Sequence, residues 1–513
     1  MKQHDISKNK TIASSARNCY VSGVKLSEIV YLSAGKAMFS NALKAGVATV
    51  SLAVLAGCNF APPYQPPQGA VPSAITSVAA QAAPVAGVQD ADAPALQWLQ
   101  DARLRQTVAL ALHENRDLRV AVQNVDKARA QYGIARADQL PTIAAQLQGQ
   151  RGRNSADTSG GTSAVSEQVS ASIGFASYEV DLWGRIRNLK EAAWQQFLQV
   201  QENRRGVEIA LVAEVANAWL TLAADQERLA LARQTLEARE QSYALMRGMF
   251  ELGAASGLAL AQNLGTVESA RGDVAQYTAQ LARSRNALQL LVGTTVAAHL
   301  LPPAGWLEAS AQAALQAVPQ ALPSSILLAR QDVQAAEHAL MAQHAQIGAA
   351  RAAFFPSISL TASTGSSSTA LDDLFTGTSR TWNFSPGIRL PIFAGGRLRA
   401  GLQVAQANQR IAVAEYEKTV QTAFREVADV LADRDQWGAR LGAQNAVVLT
   451  ASKVQELSQA RFDAGADDFL AVLDARRSLY AAQQTQISLQ LAEQQNRITL
   501  WKVLGGQALP AVE

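Results

Sequence analysis

Cysteine, catalytic histidine motifs, charge and long apolar runs are all scarce in this chain of 513 residues, and each shortage removes a class of protein. None of the five histidines forms HExxH, and His338 and His344 stand six apart, on different faces of a helix. No phosphate-binding loop or GxSxG elbow is present; Gly253-Ala-Ala-Ser-Gly257 puts its serine one place too late. The carboxylates are spread along helical segments, where solvated faces account for them. Five methionines, two of them before Cys58, give no copper pathway. No catalytic constellation, metal site or bound cofactor is therefore expected. Charged residues make up 17% and aromatics 6%, while Ala carries much of the apolar share with Gln as its polar partner. Such a composition favours long helices over one large core.

Net charge is only +3, and it belongs to the first 57 residues, which hold seven Lys/Arg and two Asp/Glu. The remainder has 38 basic and 40 acidic residues, so a nucleic-acid partner is not expected. The charge-free run from Ala45 to Gly57 has 13 residues, against the roughly 20 of a transmembrane helix. It suits the apolar region of a secretory signal. Leu55-Ala56-Gly57-Cys58 resembles a bacterial lipobox, so Cys58 is expected to carry a diacylglycerol and an N-acyl chain as the first mature residue. A buried cysteine after an apolar stretch is the plainer alternative. Asn59 in place of an aspartate favours, by that resemblance, export to the outer membrane. The other cysteine, Cys19, lies in the leader, so the mature chain forms no internal disulfide. Residues 1–37 look unlike a signal, and translation is expected to start at Met38.

Beyond a Pro-rich tether the chain repeats itself. At an offset of 212, Glu214-Val215-Ala216 meets Glu426-Val427-Ala428, Phe250 meets Phe462, Gly253 meets Gly465, Leu258 meets Leu470, and Val292-Gly293 meets Leu504-Gly505. Ala135-Arg136-Ala137 and Pro141 meet Ala350-Arg351-Ala352 and Pro356 at an offset of 215. Each half is thus one structural unit, duplicated. Val215, Leu222, Leu229, Leu236, Tyr243 and Phe250 follow a spacing of seven, as do Leu260, Val267, Val274, Leu281 and Leu288, which points to coiled helical hairpins. An ordinary amphipathic bundle is the alternative. The segment from 184 to 252 would span about 100 Å as a helix.

Each half also holds two alternating segments. Ile143, Ala145 and Leu147 alternate with polar or small residues, as do Val169, Ala171, Ile173 and Phe175; in the second half Ile358, Leu360 and Ala362, then Trp382, Phe384, Pro386, Ile388 and Leu390, do the same. Lengths near ten residues, apolar on one side and hydroxyl or amide on the other, match a membrane barrel, although a half-buried soluble sheet alternates likewise. Four strands cannot close, and an open edge cannot face lipid. Three copies give twelve strands with an aqueous lumen, whereas two give eight with a nearly filled interior.

Four strings now carry a resemblance: Cys58-Asn-Phe-Ala-Pro-Pro-Tyr64, Tyr178-Glu-Val-Asp-Leu-Trp-Gly-Arg-Ile-Arg187, Leu390-Pro-Ile-Phe-Ala-Gly-Gly-Arg-Leu-Arg399 and Leu470-Ala-Val-Leu-Asp-Ala-Arg-Arg-Ser-Leu-Tyr480. Together they resemble the TolC family, and within it the lipoprotein outer-membrane factors of resistance-nodulation-division (RND) efflux systems, over residues 58–506. The fold class is then mainly α with a membrane β portion: a duplicated unit of long coiled helical hairpins plus two strand pairs, trimerising into a 12-stranded β-barrel on an α-helical barrel. The expected organisation is a leader (1–57), a lipid-anchored tether (58–95), a first repeat (96–293, strands about 141–150 and 167–182, hairpin 184–293), a linker (294–323), a second repeat (324–506, strands about 356–363 and 382–392, hairpin 397–505) and a tail (507–513).

The resemblance implies a passive homotrimeric conduit in the outer membrane, extending into the periplasm to an adaptor protein and an inner-membrane RND pump. Its periplasmic aperture corresponds to Leu470 and Asp474; some members carry a second acid where this chain has Ala471. The second tip holds Asp463, Asp467, Asp468 and Asp474, whereas the aligned Glu251, Ala255, Ser256 and Gln262 include one acid. Threefold repetition of Asp474 would make a carboxylate ring favouring cations. The plainer roles are a helix N-cap for Asp467 or Asp468 and an i, i+3 pair with Arg477 for Asp474. Gly253, Gly257, Leu258 and Gly465 are the candidate adaptor-contact tip, or else plain turns. A protein-secretion conduit and a periplasmic adaptor lipoprotein are the rival readings. The adaptor needs a single hairpin flanked by small β domains, and two hairpins with two strand pairs argue against it.

Overall fold

The computed structural model describes residues 59–64, 74–76, 98–153, 155, 165–309 and 321–506, all within the unit from Gly57 to Glu513. The leader, Met38, Cys58 with its expected acyl chains, most of the tether and the tail lie outside the described residues. The first repeat runs α1 (Ala102–Glu114), α2 (Arg116–Ala137), β1 (Ile143–Arg153), β2 (Val165–Val180), α3 (Arg185–Glu251) and α4 (Gly257–Val292). The second runs α5 (Gln331–Ala352), β3 (Ser357–Ser368), β4 (Arg380–Arg389), α6 (Arg397–Asp463) and α7 (Phe469–Val503).

The duplication extends to individual bonds. α3 and α6 both have 67 residues, about 100 Å of helix. Asn115 Nδ2 donates to the Leu291 carbonyl at 2.8 Å, and Arg330 Nη1 donates to the Val503 carbonyl at 2.8 Å. Donors and acceptors are equivalent at the offsets of 215 and 212, so each repeat clamps the end of its return helix in the same place. The cores match as well: Val215 and Val427 are both fully buried, and Trp219 takes the place of Leu431. One core joins α1, α3 and α4 to the α7 residues Ile487, Ile498 and Trp501; a second gathers Val333, Tyr416, Val420, Val427 and Leu500. The heptad residues are buried from Val215 to Leu229, and exposure rises toward the tip, where Phe250 is exposed. An 18-residue window of α3 is apolar enough to cross a membrane, but 56% of it is buried inside the protein, so its apolarity serves the core.

A separate short pairing joins residues 74–76 to 321–323, and the four strands of the repeats form an antiparallel sheet in the order β1-β2-β3-β4, with β1 and β4 as open edges. Its register aligns the alternations found in the sequence. Ile143 faces Phe175, Ala145 faces Ile173 and Leu147 faces Ala171; Ile358 faces Ile388, Leu360 faces Pro386 and Ala362 faces Phe384. The opposite side carries Gln146, Gln148, Ser170, Ser172, Ser359, Thr361, Ser363, Asn383 and Ser385. A bulge after Phe175, with Ser177 at φ 56°, shifts the parity so that Tyr178 faces Leu360 and Val180 faces Ile358 on the apolar side. The bulge adds a residue that simple alternation does not reveal.

β3 also runs to Ser368, past the expected end at 363. Residues 364–368 read as loop because they are Ser, Thr and Gly, but pairing with Val169–Ile173 on one side holds them extended. Strand identity there comes from the neighbour and not from propensity. β1 similarly extends to Arg153, β2 starts at Val165, and β4 spans 380–389, ending before Leu390-Pro391.

Candidate functional site

Both hairpins end in turns of the same construction. Gly253 and Gly465 adopt φ 74° and 71°, a left-handed conformation that any side chain would strain. Ser256 then accepts the Ala259 N–H at 3.1 Å, and Asp468 accepts the Ala471 N–H at 3.3 Å, so both return helices are N-capped at equivalent positions. Gly257 is the first helical residue of α4 and needs no unusual backbone. The tips pack together. Met246 of α3 is buried with Phe469 and Val472 of α7, flanked by Leu260 and Phe462, and the Phe462 and Phe469 rings meet edge-on at 5.1 Å. The candidate adaptor-contact residues Gly253, Gly257, Leu258 and Gly465 and the candidate aperture residues Leu470 and Asp474 therefore share one end of the unit.

The acids of the second tip are largely committed. Asp467 holds Arg461 with two bonds of 2.6 and 2.8 Å, and that guanidinium keeps its carboxyl below the usual range. Asp463 accepts from Gln459 at 2.8 Å. Asp468 is the cap. Asp474 pairs with Arg477 at 2.8 Å, the i, i+3 alternative, while its side chain remains 55% exposed. Leu470 is 48% exposed.

Two further arrangements had no motif to announce them. Buried Asp225 accepts from Ser284 Oγ at 2.6 Å and Arg228 Nη1 at 2.9 Å, and Arg228 Nη2 reaches Ser488 at 3.0 Å, tying α3 to α4 and α7. Asn59, just after Cys58, accepts from Asn188 Nδ2 at 3.0 Å. Phe60 stacks on Phe355 at 4.6 Å and lies 6.5 Å from Trp183, its carbonyl accepts from Arg351 at 3.0 Å, and Tyr64 donates to Glu337 at 2.8 Å. Two of the four sequence strings thus meet in space, at the point where the strands pass into the helices.

The family model described as outer membrane efflux protein matches residues 107–294 and 322–506, the two repeats. The chain belongs to that family. The chain is 44% identical over 462 residues to the toluene efflux pump outer membrane protein TtgC of Pseudomonas putida, covering 89% of this chain and 94% of that one. It is 41% identical over 466 residues to the outer membrane protein OprJ of Pseudomonas aeruginosa, covering 90% and 95%. Among solved structures it superposes on the open MtrE outer membrane channel of Neisseria gonorrhoeae with a TM-score of 0.77 at 35% identity, over 89% of this chain and all of that one. As an outer membrane efflux protein it is a channel component, and the family is one of conduits, not of enzymes.

Proposed function

We infer that three copies of this chain form one conduit through the outer membrane, carrying small molecules delivered by a periplasmic adaptor and an inner-membrane RND pump. The single observation that carries the trimer is the four-stranded sheet with an apolar face, a hydroxyl-and-amide face and two unpaired edges. Lipid offers no hydrogen bonds to such edges, so β4 of one protomer pairs with β1 of the next until the barrel closes. The hydroxyl face then lines the lumen. Relatives named for toluene and antibiotic efflux support small organic cargo, which the pump selects.

Cys58 carries the acyl anchor in this reading. Its support is the docking of Asn59 and Phe60 beside Trp183 and Phe355, which holds the start of the mature chain where the strands meet the helices. Gly253, Gly257, Leu258 and Gly465 meet the adaptor, and Leu470 and Asp474 narrow the entrance.

Arg477 beside Asp474 sharpens the test of the entrance. In planar-bilayer recordings under a salt gradient, Asp474→Asn leaves the Arg477 charge alone and shifts the reversal potential toward anions, while Arg477→Gln shifts it toward cations. Identical potentials for both variants and the parent would remove Asp474 from the aperture.

A further inference from the structure

Where β2, β3 and β4 pass into the helices they leave a cavity of about 300 Å³. Part of its wall is apolar, from Trp183, Phe355 and Pro356. The Trp183 ring is fixed by a 2.7 Å bond from Nε1 to the Pro356 carbonyl and by stacking on Phe355 at 5.0 Å. The lining also carries charge, from Glu179, Asp181, Arg185, Arg389 and Arg397. Glu179 pairs with Ser359 and Arg389 with Ser357, which places both on the hydroxyl-and-amide face of the sheet. In the trimeric reading proposed above, on which this inference rests, that face lines the lumen.

The charges do not balance, and the duplication shows why. In the first repeat Arg185 grips Glu179 with bonds of 2.8 and 2.7 Å, and Asp181 accepts the Arg187 N–H at 2.7 Å. The second Asp181 oxygen is buried without a partner. Arg397 is the equivalent of Arg185 at the offset of 212, but the positions of Glu179 and Asp181 are taken by Pro391 and Phe393. Arg397 has lost both carboxylates. Among the described residues neither Arg389 nor Arg397 makes an ion pair or a side-chain hydrogen bond. Two guanidinium groups with no partner in their own protomer thus share a cavity with an indole and a phenyl ring.

We propose that this cavity binds amphipathic aromatic anions on their way through the barrel, with the acid group on Arg389 and Arg397 and the ring against Trp183 and Phe355. A guanidinium offers a planar fork of donors that matches a carboxylate or sulfonate. The volume sits at the small end of ligand pockets and suits a two-ring molecule. A cationic analogue would meet three guanidinium groups against two carboxylates, Glu179 and Asp181.

The test uses the full-length trimer in a planar bilayer, with 2-naphthalenesulfonate, 1-naphthylmethylamine and inorganic sulfate as probes. The sulfonate is expected to interrupt the current reversibly, and the amine and sulfate to do so far more weakly. Arg389→Gln and Arg397→Gln should each weaken the block about tenfold, the worth of one charge-assisted hydrogen bond, while Arg389→Lys, which keeps the charge but loses the planar fork, restores only part of it. Equal block by the amine, equal block by sulfate, or block unchanged in both Gln variants would overturn the proposal. A protein that inserts without conducting at all would instead overturn the channel reading on which it stands.

Discussion

Gly365→Val is expected to abolish the outer-membrane trimer. Gly365 lies opposite Ser172 across the β2–β3 seam, the one place where the sheet joins the two repeats. A Cβ there would stand 2.1 Å from the Ala171 carbonyl oxygen and 2.7 Å from the Ser172 Cα. Gly174, opposite Ser363, is as tight, at 2.2 Å from the Ala362 carbonyl oxygen. The obstructing atoms are backbone, so no rotamer change relieves the clash, and the cost exceeds the ~1–3 kcal/mol typical of overpacked cores. Gly377, in the turn between β3 and β4, has nothing within 4 Å of its would-be Cβ. Gly377→Val should therefore leave the trimer in outer-membrane fractions at parental levels, while Gly365→Val and Gly174→Val remove it. Equal yields of all three would show that the seam is looser than the register implies.

Trp219→Ala is expected to give the largest loss of stability among core substitutions in the helices. Trp219 is fully buried, meets Trp306 edge-on at 4.8 Å and donates its Nε1–H to the Leu300 carbonyl at 2.9 Å. Its truncation removes a large apolar volume and that bond together, at a cost of about 4 kcal/mol. Leu431, at the equivalent position and 1% exposed, supplies volume alone, and Leu431→Ala should cost about 3 kcal/mol. Thermal unfolding of the detergent-solubilised protein checks the order, with the lower midpoint expected for Trp219→Ala. The reverse order would mean that the second core, not the first, limits stability.

How much of this was legible in the sequence depended on whether periodicity or distant contact decided the outcome. The duplication, the long helices, the glycine turns and the alternating faces all follow from spacing, so the places of Gly253, Gly465, Val215 and Ile143 are legible in the sequence alone. Residues 364–368 could not, since nothing in Thr-Gly-Ser-Ser-Ser favours a strand until β2 lies beside it. The bulge at Ser177 was hidden for a similar reason, because it changes which residues face which side without altering composition. Among the candidate site residues, the turns and the Asp468 cap follow from local chemistry. The pairing of Asp474 with Arg477 follows the i, i+3 spacing, whereas its place at the aperture came from the resemblance, and the pairing does not decide that role. Asp225 and the docking of Asn59 and Phe60 rest on partners far along the chain, which no local pattern encodes. The lumen-side cavity is legible only in hindsight, from the Pro391 and Phe393 that stand where the first repeat has acids.

The claim that three chains share one barrel is tested most directly by cysteine cross-linking between the two open edges. Within one chain β1 and β4 are separated by β2 and β3, so a bond between them is expected only across protomers. Cysteines introduced in pairs along β1 (Gln146, Gln148 or Gln150) and β4 (Asn383 or Ser385), followed by oxidation in intact cells and denaturing electrophoresis, should give a covalent trimer for the pair in register. Dimers that never extend to a third chain, or an intrachain β1–β4 disulfide in a monomer, would contradict it.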